Sequence, residues 1–291
     1  MKRFSHVLEY VGLRTIEIIA GMLPRRVTLW LGGVGGLALY YSGFYRKIVD
    51  CNLDHVGLFK ESGRPAMVKA LYRNMGKYGV ELLRIGKKPP AFTVENIELV
   101  DSALARGKGV IAVLAHFGNW ELLAAMFGSR YKELNVFSGR LHNTLVEKWM
   151  HEKRKETNVT LFYAAGALRK MLTVLKQNGI LAMLIDQYAG DQGTVVPFLG
   201  KPARTYRTMA GMQCKTGCGV VLPYAILQHD GTYHVKIEAC PEITVSRDSE
   251  DEFIAAAQKA HNDVISGWIM KYPEHYFGWF HRRFKDTISY L

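Results

Sequence analysis

Cysteine is scarce and unpaired in this chain: Cys51, Cys214, Cys218 and Cys240 form no CxxC pair and no dense framework. That excludes a disulfide-stapled secreted module. Cys214 and Cys218 stand at i, i+4 without a second pair or a His-rich partner, so reduced, packed thiols are read there instead of a metal site, which suits a cytosol-facing protein. No G-x-S-x-G occurs, which removes the nucleophile elbow of α/β hydrolases. The apolar strand-like runs carry no RNP-like interleaving of aromatic and basic residues, so nucleic acid is not an expected partner. Internal repeats and low-complexity linkers are absent. Acid is in deficit, with 26 Asp and Glu against 38 Lys and Arg, a net charge of +12 and a pI near 9.5. The excess favours anionic partners such as phosphates, an acidic protein or an anionic membrane face.

The N-terminus lacks a cleavable signal pattern, because its charged and apolar parts are in the wrong arrangement. Residues 7 to 23 are largely apolar but carry Glu9, Arg14 and Glu17, too charged for a comfortable lipid span. Val27 to Tyr45 then runs 19 positions without a charge, close to a spanning length, yet diluted by five glycines and a serine. Gly32 and Gly36 form a GxxxG spacing that equally permits tight packing against another helix. Residues 1–48 are read as membrane-associated helices with basic flanks suited to anionic lipid, and residues 49–291 as the main domain. The plainer alternative is two buried helices of a soluble bundle. Gly33, Gly35 and Ala38 mimic a dinucleotide fingerprint, but the sequence before them is helical, so no nucleotide cofactor is expected.

Further along, residues 62–86 read as a helix ended by Lys87, Lys88, Pro89 and Pro90. "GVIAVLA" reads as a strand buried on both faces, and "NWELLAAMF" as a helix capped by Asn119. "NVF" and "NGILAMLID" supply two more strands. "VVLPYAIL" and "YHVKIEA" flank the turn "HDG" as a hairpin. Helices are expected up to Thr157, over Ala167–Lys176, and from a Ser249/Glu252 capping box to Pro273 with Phe253, Ala257, His261, Val264 and Trp268 on one face. Strands alternating with helices predict an α/β domain with a mixed central sheet flanked by helices. Its ligand site is expected where His116 closes a strand and Glu121 opens a helix, in the stretch "HFGNWE". Two side chains five apart diverge on a regular helix, so their cooperation requires the backbone break that Gly118 permits.

"HFGNWE" is an H-x4-E motif that resembles the signature of the lysophospholipid acyltransferase superfamily. "GRLHN" at 139–143, Arg154, Asp186, "VPFLGKPART" at 196–205 and "PEHYFGWFHRRFK" at 273–285 extend the resemblance almost end to end. Together they resemble the lipid A late (secondary) acyltransferases of Gram-negative bacteria. The resemblance implies a lysophospholipid acyltransferase-like fold and transfer of an acyl chain from acyl carrier protein to a hydroxyl of a lipid A precursor, at the cytoplasmic face of the inner membrane among membrane lipids. The sequence itself requires neither a metal nor an organic cofactor.

Within that chemistry a neutral imidazole suits removal of a hydroxyl proton near pH 7, which points to His116. A carboxylate on the other ring nitrogen fixes the tautomer, a role expected of Glu121. Asn119 and the turn amides are candidates for the oxyanion. Arg140 and Arg154 are candidates for phosphate, and Asn143, Arg204 and Thr205 fall within the family boxes as substrate-binding candidates. Asp186 is expected to order the site through an arginine. Lys201, Arg204 and Arg207 form a second basic cluster, and His281, Arg282, Arg283 and Lys285 a third, facing phosphorylated lipid or an acidic carrier. Acyl transfer to another membrane lipid, or membrane binding without catalysis, are the alternatives.

Overall fold

The computed structural model describes residues 2–58, 62–86, 89–163 and 167–290. The chain opens with α1 (Lys2–Met22), α2 (Arg25–Tyr41), α3 (Arg46–Val56) and α4 (Arg64–Leu82). Then follow β1 (Phe92–Glu95), α5 (Glu98–Leu104), β2 (Val110–Leu114), α6 (Trp120–Tyr131), β3 (Leu134–Phe137), α7 (Thr144–Lys155), β4 (Val159–Phe162), α8 (Ala167–Lys176) and β5 (Ile180–Leu184). The last part holds β6 (Thr194–Phe198), β7 (Lys201–Thr205), α9 (Thr208–Thr216), β8 (Gly219–Leu227), β9 (Tyr233–Ala239) and α10 (Glu250–Lys271).

Seven strands form one mixed sheet in the order β1-β9-β8-β2-β5-β3-β4. β2 lies at its centre, parallel to β5 and β8, and β8 and β9 form the expected antiparallel hairpin. Every β2 residue is buried, because each face has its own core. Ile111 and Val113 pack with Leu181, Met183, Ile265 and Ile269, whereas Val110, Ala112 and Leu114 pack with Leu122, Leu123 and Phe127. β6 and β7 form a separate two-stranded ribbon. Lys87 and Lys88, expected to end α4's segment, lie outside the described residues. Ser249 precedes α10 as expected, but its side chain makes no capping hydrogen bond.

The glycines near the N-terminus serve packing. A Cβ on Gly36 would lie 2.0 Å from the Tyr72 carbonyl oxygen, and one on Gly76 1.9 Å from the carbonyl oxygen of Gly32. α2 and α4 therefore cross backbone to backbone, and the GxxxG spacing is used inside the protein. Gly33, Gly35 and Ala38 lie within α2, so no strand-turn-helix for a dinucleotide exists there.

α1 is inverted relative to an ordinary surface helix. His6, Tyr10, Leu13, Glu17 and Ala20, at alternating steps of four and three, turn inward. Glu17 accepts from the Trp149 indole at 3.0 Å and pairs with Lys153 at 3.1 Å, both on α7. Arg84 donates to the carbonyls of Ala20 and Leu23. The opposite face exposes Phe4, Val7, Leu8, Val11, Ile18, Ile19 and Met22, and α2 exposes Val27, Trp30, Leu31 and Val34. Among the described residues no helix is long and apolar enough to cross a membrane.

Gly36→Ala is expected to lower stability by about 1–3 kcal/mol, because the helices must separate to admit a methyl group. Gly12→Ala, at a position with nothing within 4 Å, should leave the melting temperature level or raise it slightly. Equal thermal melts for the two variants would refute the close crossing.

Candidate active site

Parallel register builds the centre of the site. Leu114 on β2 stands opposite Leu184 on β5, so the residues two positions beyond each, His116 and Asp186, emerge side by side at the carboxyl ends of adjacent strands. The His116 Nδ1–H donates to Asp186 Oδ1 at 2.9 Å, and the His116 backbone N–H donates to Oδ2 at 3.0 Å. An ionised carboxylate has only acceptors, so the proton sits on Nδ1 and Nε2 is left as the acceptor, facing the Gln187 amide. Gln187 Nε2 lies 3.4 Å from that nitrogen, and the His116 side chain keeps 24% exposure. Asp186 is fully buried. Burial pushes its carboxyl up, but the His116 contacts and the charge of Arg283 outweigh this and hold it below the ordinary carboxylate range.

The turn between His116 and α6 is held from the far end of the chain. Gly118 has φ +62, and a Cβ there would meet the Ala225 carbonyl oxygen at 2.0 Å. Its N–H donates to the His275 carbonyl at 2.8 Å, the Phe277 N–H donates to the His116 carbonyl at 2.7 Å, and the Asn119 N–H donates to Ala225. His275 is fixed in turn by the Tyr78 hydroxyl at 2.7 Å from its Nδ1. The "PEHYFGW" segment is thus the clamp on the "HFGNWE" turn, a role that nothing in its sequence marks.

The carboxylate on the imidazole is therefore that of Asp186, not Glu121. Glu121 accepts both arms of the Arg154 fork, with Nε at 3.0 Å, and the two side chains are mostly buried. Arg154 is thereby occupied by Glu121 and is not open to phosphate. Burial lowers the Arg154 pKa, and the Glu121 contacts more than reverse this. Asn119 is buried and serves the fold: it caps α6 by accepting from Leu122, and its amide donates to the Tyr233 hydroxyl at 3.1 Å. Asn143 caps α7 and donates to the His6 carbonyl and to Glu9. Arg204 pairs with Asp286 at 2.6 Å, and Arg207 pairs with Asp251. Thr205 is fully buried, accepting from Arg283 at 2.7 Å and from Asn262. Arg140 remains exposed, its guanidinium 5.2 Å from the Tyr163 ring centroid.

Arg283 is the largest departure from the surface reading. It is 1% exposed and donates to the carbonyls of Gln187 and Arg204 as well as to Thr205. Its burial and its charge near Asp186 make it a structural cation beneath the site, and Asp186 bonds to His116 directly instead of through an arginine.

A cavity of about 420 Å³ opens beside His116. Leu13, Leu82, Leu114, Val136, Met150, Leu161 and Leu184 give it apolar walls, and His116, Trp120, Glu121 and Arg154 also line it. The cysteines lie elsewhere: Cys214 and Cys218 are buried, and burial raises both thiols. Among the described residues no group of His, Cys, Asp or Glu is placed to hold a metal ion.

The sequence model of the bacterial lipid A biosynthesis acyltransferases matches residues 2–286. The chain is 26% identical over 289 residues to the lipid A biosynthesis lauroyltransferase of Escherichia coli K12, covering 96% of this chain and 91% of that protein. It is 23% identical over 288 residues to the lipid A biosynthesis palmitoleoyltransferase of the same organism, with the same coverage. A phosphatidylinositol mannoside acyltransferase of Mycolicibacterium smegmatis is 21% identical over 216 residues, covering 71% of this chain and 69% of that protein.

Burial lowers both His261 and His275 to about 4 from 6.5. The unfolded chain takes up these protons below 6.5 while the fold refuses them until about 4. Stability is therefore full above that window and is lost as pH falls through it. Each His is expected to cost roughly 2 kcal/mol between about pH 7 and about pH 5. Urea unfolding of His261→Leu at the two pH values should show a smaller loss than the wild type; an identical loss would place the titration elsewhere.

Proposed function

Because the chain belongs to the bacterial lipid A biosynthesis acyltransferase family and is an acyltransferase, we propose that it moves a fatty acyl chain from acyl carrier protein to a hydroxyl of a lipid A precursor, working at the cytoplasmic face of the inner membrane. The observation that carries this reading is the oriented His116 beside an apolar cavity. The acceptor hydroxyl gives its proton to His116 Nε2 as its oxygen attacks the thioester carbonyl. Asp186 stabilises the imidazolium so formed. First-turn amides of a helix have no intrahelical acceptor, so those of Trp120 and Glu121 at the start of α6 supply donors to the oxyanion. Collapse of the tetrahedral intermediate breaks the carbon–sulfur bond, and the departing thiolate takes the proton back from His116. The acyl chain occupies the apolar cavity during transfer, while the Glu121–Arg154 pair braces its wall.

The net charge of +12 suits an acidic carrier protein. A lipid A acceptor is favoured over a mannolipid because the two Escherichia coli relatives align over 96% of the chain, against 71% for the mannoside enzyme. Exposed apolar faces on α1 and α2 support a protein lying in the membrane interface.

Activity assays on folded variants should rank the losses: His116→Ala about a thousandfold or more, Asp186→Asn about a hundred- to ten-thousandfold, and Glu121→Gln less than either. A folded Glu121→Gln worse than Asp186→Asn would return the orienting role to Glu121. The reaction is also expected to proceed without an acyl-enzyme, since buried cysteines with raised pKa values are poor nucleophiles. Radiolabelled donor mixed with enzyme alone should leave the acid-quenched protein unlabelled, and stoichiometric label would overturn direct transfer.

A further inference from the structure

A second hollow, of about 470 Å³, lies between the α2–α3 corner and the C-terminal segment, lined by Tyr45, Ile48, Phe280, His281, Arg282 and Lys285. No carboxylate lines it. Arg282 and Lys285 are exposed, and neither has an ion-pair partner among the described residues. The neighbouring Asp286 is taken by Arg204 and by the Tyr188 hydroxyl. The backbone here is held from within: the fully buried Asn52 amide donates at 2.8 Å to the carbonyls of both Trp279 and His281, and Tyr290 donates to Asn52.

His281 joins this hollow to the site already described. Two residues on from it, Arg283 donates at 2.8 Å to the Gln187 carbonyl, and the Gln187 amide lies 3.4 Å from His116 Nε2, so the segment that lines the hollow also touches the site. Tyr45, on the wall of the hollow, and Tyr41 and Phe44 just before it in the chain are exposed by 50%, 72% and 45%. Exposed aromatics at the end of an apolar helix face are the arrangement found where a protein meets lipid headgroups.

We propose that Arg282 and Lys285 form a phosphate subsite, one that receives the headgroup phosphate of the lipid acceptor while its hydroxyl is presented to His116. This rests on the acyl-transfer reading. Two cations without counter-ions match a phosphate monoester. Their place beside the aromatic rim favours the lipid's phosphate over the one on the donor's pantetheine arm.

The test compares wild type with Arg282→Ala/Lys285→Ala. The acceptor is used with and without its phosphate, and the donor as acyl-pantetheine and acyl-phosphopantetheine. The double variant is expected to raise KM for the phosphorylated acceptor at least about tenfold more than for the phosphate-free one, and the difference should shrink with salt. Arg282→Lys/Lys285→Arg should keep most of the preference, which a merely structural role would not require. Equal changes for both acceptors, or a difference that follows the donor's phosphate, would overturn the assignment. Should the wild type transfer to neither acceptor, the acyl-transfer reading falls. Inorganic pyrophosphate then decides the subsite: binding to wild type but not to the double variant sustains it, and equal binding refutes it.

Discussion

One carboxylate accepts twice from one histidine, and much of the molecule is arranged to make that possible. Asp186 is fully buried, so its charge is tolerable only because the His116 amide and ring both donate to it and Arg283 lies close. The parallel register of β2 and β5 aligns the two residues, and both strands are apolar enough to hold that register without slippage. Removing His116 would strand the buried charge of Asp186, which ties the geometry of the site to the stability of the sheet.

Around this pair the chain closes a loop on itself. The segment after α10 returns to give hydrogen bonds to the "HFGNWE" turn, and Arg283 fastens the strand ends bearing Gln187 and Thr205. The turn therefore has little freedom of its own. The Glu121–Arg154 fork adds a cross-brace between α6 and α7 on the cavity side. A bidentate pair shielded from water is directional, and it fixes the spacing of the two helices.

Much of this was legible from the residues. Long apolar runs announced β2 and β5, the α8 bounds agree with the expectation, and the hairpin of β8 and β9 follows its "HDG" turn. Short strands escaped: β1 and β4 have only four residues each, too few to establish a period of two. His116 stood out because of its neighbours, but its partner did not. Spacing along the chain suggested Glu121, five positions away, whereas the actual carboxylate lies seventy positions on and is adjacent only through strand pairing. Polar residues with internal duties, such as Asn143 and Thr205, look the same in sequence as ligand contacts. Arg283 is the clearest case, since the run "HRRFK" mixes a buried cation with exposed ones and no local pattern separates them.

The inverted α1 has a consequence for dissecting this protein. Leu13 lines the cavity from the inner side of a helix whose outer side is apolar and exposed. Cavity wall and exposed apolar surface are thus two faces of the same twenty-one residues. Deleting them would remove Leu13 from the cavity wall and uncover Lys153 and Trp149 together, so truncation would alter the cavity and the outer face in one step. Only substitutions confined to the outer face, at positions such as Val11 and Ile18, separate what the helix covers from what it touches.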